Sequence, residues 1–197
     1  MASHIQSNPS LDERKAREMI RYLLGVSSLG LILVASSQKG LASILIGEDE
    51  ELLLEDLGRR FPEALFVRGN KGEDRHLLGL VLAFAEDPSR GLDVPLDIRG
   101  TDFQRRVWQA LRDIPVGKTS SFTDIAHKID EPKAMRAVGN ACSTNNLALA
   151  IPCHRVLHRD GSLSGAFHWG DARQRILLDR EAAAAAGSHP GPGSGKG

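Results

Sequence analysis

The sequence contains very few cysteines, and they do not form a metal-binding or disulfide-rich pattern. Cys142 and Cys153 are the two cysteines among 197 residues, and both lie in the C-terminal half. Neither belongs to a CxxC motif or has a histidine at zinc-finger spacing, so we expect no metal site. A single disulfide between them stays open as an alternative, although nothing else in the chain indicates an oxidising compartment.

Long apolar runs are also missing. No stretch approaches the roughly 18 uninterrupted apolar residues that a membrane-spanning helix requires. The most apolar region, residues 25–47, is interrupted by Ser27, Ser28, Ser36, Ser37, Gln38 and Lys39. Residues 1–19 are polar and charged, without the apolar segment of a secretory signal. With 41% hydrophobic and 25% charged residues, we expect a cytoplasmic globular protein without membrane contact.

The net charge of zero hides a difference between the two halves. Residues 1–100 hold 12 basic and 16 acidic side chains, whereas residues 101–197 hold 13 basic and 9 acidic ones. A basic C-terminal half favours contact with a polyanion on that side. On charge alone, chance variation of a solvated surface explains the difference equally well.

The N-terminal part alternates strand and helix patterns. The apolar runs LILVASS and LASILIG flank a turn at residues 38–40, which predicts a hairpin in a small sheet. Residues 50–60 and 76–85 have the apolar periodicity of short helices. Residues 88–99 are rich in Pro and Gly, with one extended piece around VPLDI, and we interpret them as a connector.

The C-terminal part is predicted to be mainly helical. Capping boxes at residues 101–104 and 121–124 each begin a helix, and Pro132 suits the first position of a third one. Closely spaced helices of this kind are typical of a helix-turn-helix. Asp171 is expected to cap a last helix that stops at Gly187, with apolar contacts from Ile176, Leu177 and Leu178.

These patterns predict a mixed α/β (α+β) chain with a small N-terminal sheet-plus-helix domain and a mainly helical C-terminal domain. The predicted boundaries are a disordered tail at 1–15, the N-terminal domain at 16–96, the C-terminal domain at 97–186 and a second disordered tail at 187–197.

Cys153 stands in the most informative segment, IPCHRVL. The preceding apolar run LALAIP predicts a buried strand that ends at this cysteine. A cysteine is nucleophilic as its thiolate, and a neighbouring His or Arg that lowers the thiol pKa raises the thiolate fraction tenfold per unit. Because neighbours on an extended chain point apart, His154 must reach the thiol through a turn or a bridging water. A purely structural buried cysteine is the alternative.

The stretch PCHRV resembles the active-site signature of the O6-alkylguanine-DNA alkyltransferases, also called methylated-DNA–protein-cysteine methyltransferases. The likeness extends to RGTDFQRRVWQALRDIPVGKTSSF, EPKAMRAVGNACSTNN and DGSLSGAFHWG, in the same order. The sequence is similar above all to the C-terminal module of bacterial Ada proteins, and the likeness covers roughly residues 16–184. The N-terminal part, residues 21–96, resembles the family more weakly.

The resemblance implies the chemical roles of four residues. Cys153 would be the alkyl acceptor, His154 the water-mediated general base, and Glu181 the carboxylate that orients the histidine. Asn145 would stabilise the turn before the active-site segment.

A second set of residues would bind DNA and the target base. Arg136 would enter the stack that the guanine has left, and the small residues Ala137 and Gly139 would let the helix approach the minor groove. Small residues on a helix pack equally well against a neighbouring helix. Further predicted contacts are Gln104, Ser121 and Phe122 to DNA, and Arg155, Val156, Ser164 and Phe167 to the substrate.

Two positions depart from the family pattern. Phe122 stands where a tyrosine is common, so the aromatic ring is kept and its hydroxyl donor is lost. The stretch 164–168 is one residue longer than in the Ada-type pattern, so Ser164 and Phe167 align with that pattern to within one position.

The implied activity is irreversible transfer of an alkyl group from O6-alkylguanine, with O4-alkylthymine as a further substrate, to Cys153. It would proceed by base flipping in double-stranded DNA, in a monomer and without a cofactor. A non-catalytic lesion sensor is the alternative, although that class replaces the acceptor cysteine. A transcription regulator would need the Cys-rich module of full Ada proteins, and no motif supports a thiol hydrolase.

Overall fold

The computed structural model describes residues 17–187. The predicted tail at 1–15 and residues 188–197 of the predicted tail at 187–197 lie outside the described residues, and Gly187 is the last residue of a helix. Within the described residues, no helix is long and apolar enough to cross a membrane.

A four-stranded sheet forms the N-terminal part. Its strands are β1 (Met19–Ser27), β2 (Gly30–Ser37), β3 (Gly40–Gly47) and β4 (Leu65–Arg68), arranged in the order β3-β2-β1-β4. β2 pairs antiparallel with β3, which confirms the predicted hairpin. β1 also pairs antiparallel with β2 and parallel with β4, and sequence analysis missed it. Most of β1 is half-buried, so it lacks the continuous apolar run that marks β2 and β3.

Two helices accompany this sheet. Helix α1 (Glu50–Arg60) has the predicted bounds, and the Asp49 side chain caps it by accepting from the Leu52 amide. Helix α2 (Gly72–Glu86) begins four residues before its predicted start. Within the connector, Leu96 forms an isolated bridge with Leu41 of β3, so the extended piece of the connector lies against the sheet.

The C-terminal part contains four helices: α3 (Asp102–Arg112), α4 (Phe122–Lys128), α5 (Met135–Ser143) and α6 (Asp171–Gly187). Both predicted capping boxes are present, at Thr101 before α3 and at Ser121 before α4. Each cap side chain accepts from a backbone amide that the first helical turn leaves unpaired. Helices α4 and α5 form the predicted helix-turn-helix.

Pro132 does not open the third helix, contrary to the prediction. Helix α5 begins at Met135 instead, with Ala134 at its cap position. Asp130 adopts a positive φ of 60°, and the Ala134 amide donates to the Glu131 carbonyl. The chain therefore makes a turn through Pro132 before the helix can start.

Helix α6 packs on the core through fewer apolar contacts than expected. Leu177 is buried, whereas Ile176 is 37% exposed. Asp171 is the first residue of the helix and not a cap outside it. The remaining buried positions of α6 are polar, Gln174 and Glu181.

The sheet and the C-terminal helices share one hydrophobic cluster. β3 lies at the junction: Ile44 bridges to Leu147, and its amide donates to the Asn146 carbonyl at 2.8 Å. The N-terminal sheet thereby contacts the segment that leads to Cys153.

Candidate active site

The segment before Cys153 is a compact turn and not the predicted strand. Asn145 is fully buried, and its side chain folds the chain back on itself. Its Oδ1 accepts from the Leu147 amide at 2.8 Å, while Nδ2 donates to the Ile151 carbonyl at 3.0 Å. These local bonds replace the ladder that a strand would need. We call residues 145–152 the Asn145 turn.

The Asn145 turn holds one residue in a strained conformation. Leu149 has a φ of +69°, a left-handed conformation that residues with a Cβ rarely adopt. Its side chain is buried, so packing compensates for the strain. The turn then delivers Cys153 to the first position of a 3₁₀ helix, Cys153–Arg155.

Cys153 is 3% exposed, and the Asn145 side chain contacts its sulfur. Nδ2 of Asn145 lies 3.2 Å from Cys153 Sγ as a donor. After the 3₁₀ helix, strand β6 (Val156–Leu157) pairs in parallel with β5 (Ser120–Ser121). Because Ser121 caps α4, this pairing ties the reactive segment to the helix-turn-helix.

His154, Arg155 and Glu181 form a buried hydrogen-bond network. His154 Nε2 lies 2.7 Å from Glu181 Oε1. Arg155 donates from Nε to Oε2 at 2.8 Å and from Nη2 to Oε1 at 2.9 Å, a two-pronged contact. The third prong of the guanidinium, Nη1, donates to the Ile114 carbonyl. The carboxylate of Glu181 is thus shared between a histidine and an arginine.

The pKa directions assign a protonation state to each group at neutral pH. Burial would raise the pKa of Glu181, but hydrogen bonds from His154 and Arg155 lower it to about 2, so it is a carboxylate. Burial lowers the pKa of His154, which is therefore neutral. Burial also raises the pKa of the Cys153 thiol, with Cys142 adding to it and Asn145 opposing it. The resting thiol keeps its proton.

This network sets the tautomer of His154. Because the carboxylate of Glu181 only accepts, Nε2 of the neutral ring carries the proton. Nδ1 then has a free lone pair, and it is buried without a hydrogen-bond partner among the atoms of residues 17–187. A buried unpaired nitrogen beside a cysteine is a candidate proton acceptor.

The loop of residues 163–170, which we call the Phe167 loop, packs against His154. The Phe167 ring lies 6.1 Å from the His154 ring and 5.2 Å from that of Trp169. Ser164 accepts from the Ala166 amide at 3.2 Å within the loop. Of the two residues predicted here as substrate contacts, Phe167 is buried and Ser164 is half-buried.

Arg155 and Val156, predicted as substrate contacts, are both buried. Arg155 donates to Glu181 and Ile114, as described above. The Val156 carbonyl accepts from Gln174 Nε2 at 3.3 Å. Their contact with a substrate stays a prediction.

The residues predicted to contact DNA differ in how free their side chains are. Arg136 and Ala137 are exposed on α5. Gly139 faces Phe122, so that a Cβ there would lie 3.8 Å from the ring. The side chains of the predicted contacts Ser121 and Gln104 form hydrogen bonds within the capping boxes. Gln104 also donates to Thr144 Oγ1 at 3.1 Å.

Sequence reasoning missed Gln174 as a site residue. It is fully buried on α6, and its Nε2 donates to the His154 carbonyl at 3.0 Å. Gln174 and Glu181 are seven residues apart with Leu177 between them, so all three share one helix face. The sequence signal that could have identified Gln174 is the presence of two polar residues, Gln174 and Glu181, on the same helix face as the buried Leu177.

Comparison with known proteins identifies the family. Residues 102–183 match the family model described as 6-O-methylguanine DNA methyltransferase, DNA binding domain. The chain is 46% identical over 163 residues to the bifunctional transcriptional activator/DNA repair enzyme Ada of Escherichia coli, covering 83% of this chain and 46% of Ada. It is 37% identical over 151 residues to the inducible methylated-DNA–protein-cysteine methyltransferase of Bacillus subtilis, covering 75% of this chain and 82% of that protein. The chain belongs to this methyltransferase family.

Solved structures of the methyltransferase family share the fold. The crystal structure of Mycobacterium tuberculosis O6-methylguanine methyltransferase superposes with a TM-score of 0.65 at 32% identity, over 88% of this chain and 97% of that one. The M. tuberculosis protein OGT in complex with DNA gives the same TM-score and identity over 84% and 94%. These likenesses confirm the predicted mixed α/β fold class. The chain spans about half the length of the Ada relatives that it matches.

Proposed function

We propose that this protein repairs double-stranded DNA by moving an alkyl group from O6 of guanine to Cys153, once per molecule, as a monomer. O4-alkylthymine is proposed as a second substrate. The observation that carries the proposal is the geometry around Cys153: its sulfur receives an N–H from Asn145, and the next residue is a neutral histidine held by Glu181. The names of the relatives support the reaction type.

The transfer is a displacement at the alkyl carbon. His154 takes the thiol proton at Nδ1 through a bridging water, and the Asn145 amide stabilises the thiolate as it forms. The sulfur then bonds to the alkyl carbon while the bond from that carbon to O6 breaks. The guanine leaves with the electron pair and takes a proton from water, and His154 returns its extra proton to water. The product is a thioether, which water does not cleave, so one molecule repairs one lesion. No step requires a metal or an organic cofactor.

The protonated resting thiol fits this single-use chemistry. A nucleophile that stayed ionised would also react with other electrophiles. Burial raises the pKa of the Cys153 thiol and lowers that of His154, so the thiol is protonated and the ring neutral before the reaction. Both shifts oppose the proton transfer until the forming thiolate is stabilised. His154 receives a positive charge in that step, and the carboxylate of Glu181 stabilises it.

Access to Cys153 requires base flipping. The alkyl carbon on O6 lies inside the duplex stack, and Cys153 is 3% exposed, so the nucleotide must leave the stack to reach it. The exposed part of α5 with Arg136 and Ala137 is the surface that we propose for the minor groove. Arg136 would fill the place of the extruded base.

Intact-protein mass after mixing with a short duplex that holds one O6-methylguanine tests the proposal. The wild-type protein should gain one methyl group stoichiometrically, and Cys153→Ala should gain none. Cys142→Ala is the matched control and should still gain the methyl group. If the wild type gains no mass but binds the lesion duplex more tightly than undamaged DNA, the sensor alternative replaces this proposal.

Phe122→Tyr is expected to speed the transfer by about 2- to 10-fold, because it adds one hydrogen-bond donor next to the proposed DNA surface. The Phe122 ring is half-buried, a Cβ at Gly139 would lie 3.8 Å from it, and the His158 ring centroid is 6.3 Å away. Single-turnover kinetics on the lesion duplex measure the effect. Phe66→Tyr, in β4, is the control, and equal rates for both variants and the wild type would contradict the prediction.

A further inference from the structure

Arg60, the last residue of α1, connects the N-terminal part to two segments that flank the reactive cysteine. Its side chain is 11% exposed. Nη1 donates to the Asn145 carbonyl at 3.2 Å and to Asn146 Oδ1 at 2.8 Å. Nη2 donates to His168 Nε2 at 3.0 Å. One guanidinium therefore spans the Asn145 turn and the Phe167 loop.

The guanidinium is itself held from its own helix. Asp56, one turn earlier on α1, accepts from Arg60 Nε at 3.0 Å. The planar fork of an arginine offers several donors in a fixed geometry, so its orientation sets the spacing of the groups that it binds. A lysine has a single nitrogen in its side chain and could not bridge the Asn145 carbonyl, Asn146 Oδ1 and His168 Nε2 in the same way.

Both segments held by Arg60 lead directly to the reacting groups. Asn145 contacts Cys153 Sγ through its side chain, while Arg60 holds the backbone of the same residue. His168 follows Phe167, whose ring packs against His154. Arg60 thus contacts the residue that donates to the nucleophile on one side, and the residue next to the ring that packs on His154 on the other.

A second contact anchors the Asn145 turn from the sheet. Ser43 Oγ donates to the Asn146 carbonyl at 3.0 Å, next to the donation from the Ile44 amide. β3 therefore fixes the position of the turn, and Arg60 is the contact that relates it to the Phe167 loop.

We infer that Arg60 is a positioning residue for the alkyl transfer: it sets the spacing between the Asn145 turn and the Phe167 loop, so that the Asn145 amide and the His154 ring meet Cys153 together. This inference rests on the proposed function. Arg60 touches neither the sulfur nor His154 and acts through the residues beside them. Arg60 therefore affects the rate of the alkyl-transfer step and not the affinity for DNA.

Arg60→Met keeps the alkyl stem and removes all the donors. We expect its maximal single-turnover rate to fall about 100-fold, the scale of a misplacement of about 1 Å, with the half-saturating DNA concentration unchanged within about 2-fold. Arg60→Lys should recover part of the rate. The matched control is Arg59→Met, the same change at a neighbour whose side chain is 70% exposed, and it should react like the wild type. A maximal rate of Arg60→Met within about 3-fold of the wild type, or a loss confined to DNA affinity, overturns the inference.

A measurement without DNA separates positioning from loosening of the fold. In a Cys142→Ala background, the rate at which iodoacetamide alkylates Cys153 is recorded between pH 6 and 10. Loss of positioning raises the pKa of the Cys153 thiol, because the sulfur loses the Asn145 donor. The rate profile therefore moves to higher pH. Mere loosening makes alkylation faster at every pH and counts against the inference. If Arg60→Met does not fold, the pH profile of iodoacetamide alkylation is measured on Arg60→Lys and Asn146→Ala, and the same shift to higher pH is expected.

Failure of the proposed function is distinguishable from failure of this inference. A wild type that takes no alkyl group from the lesion duplex defeats the proposed function, and the iodoacetamide profile still tests the role of Arg60. A wild type that transfers normally, with Arg60→Met transferring equally fast, defeats the inference alone.

Discussion

Glu181→Gln is expected to lose about 3–5 kcal/mol of unfolding free energy, because it leaves a buried arginine without its counter-charge. The Arg155 side chain is 7% exposed and has two of its prongs on this carboxylate. A glutamine offers one acceptor oxygen and turns an NH₂ group toward other donors. The methyl-transfer rate should fall about 100- to 10,000-fold as well, since His154 loses the partner that selects its tautomer.

Urea denaturation and single-turnover transfer measure the two effects of Glu181→Gln separately. Glu63→Gln, at an exposed loop position, is the control and should change stability by less than about 0.5 kcal/mol. Adding Arg155→Met to Glu181→Gln removes the unpaired charge, so stability should partly return while the transfer rate stays low. Recovery of the rate together with the stability would show that Glu181 acts only in folding.

Glu181 and its partner His154 make stability depend on pH. Because the pKa of Glu181 is about 2 in the folded protein, below its ordinary 4.5, its contribution is present above pH 4.5 and is lost as the pH falls toward 2. His154 has a pKa below its ordinary 6.5, so the unfolded chain binds a proton first and stability starts to fall below pH 6.5. Glu181→Gln should flatten the decline below pH 4.5. An unchanged slope there would contradict the assignment.

Asn145→Ala is expected to slow the transfer about 10- to 100-fold and to destabilise the fold by about 2–4 kcal/mol. The rate falls because the thiolate loses the donor at 3.2 Å from its sulfur. The stability falls because the Leu147 amide and the Ile151 carbonyl lose the partners that fold the turn, at a fully buried position. Strain at Leu149 adds to the tendency of the turn to open.

A matched substitution separates the donor from the fold of the turn. Asn145→Asp keeps the acceptor for the Leu147 amide but places a carboxylate oxygen against the sulfur, which disfavours the thiolate. Its transfer rate should therefore lie below that of Asn145→Ala. Single-turnover kinetics and urea denaturation compare the variants, with the exposed Asn70→Ala as control. A rate for Asn145→Asp near that of the wild type would exclude a donor role for the amide.

Local patterns were enough for the elements whose signals are contained in a few residues. The capping boxes at Thr101 and Ser121, the hairpin of β2 and β3 and the bounds of α1 follow from short-range hydrogen bonding and periodicity, so they were predictable. The same reasoning failed at the segment 147–152. Its apolar run is typical of a strand, but the buried Asn145 side chain satisfies the backbone in a turn instead.

The sequence by itself determined the fold class and the candidate chemistry of this protein, because a cysteine, a histidine and their neighbours form a contiguous motif. The contact of Glu181 with His154 was part of the prediction, whereas the other contacts were decided by tertiary structure alone. Arg155 also binds the buried carboxylate of Glu181, and Gln174 and Arg60 reach the site from distant helices. These contacts join residues far apart in the chain that meet when the helices pack on the core, and no local pattern encodes them.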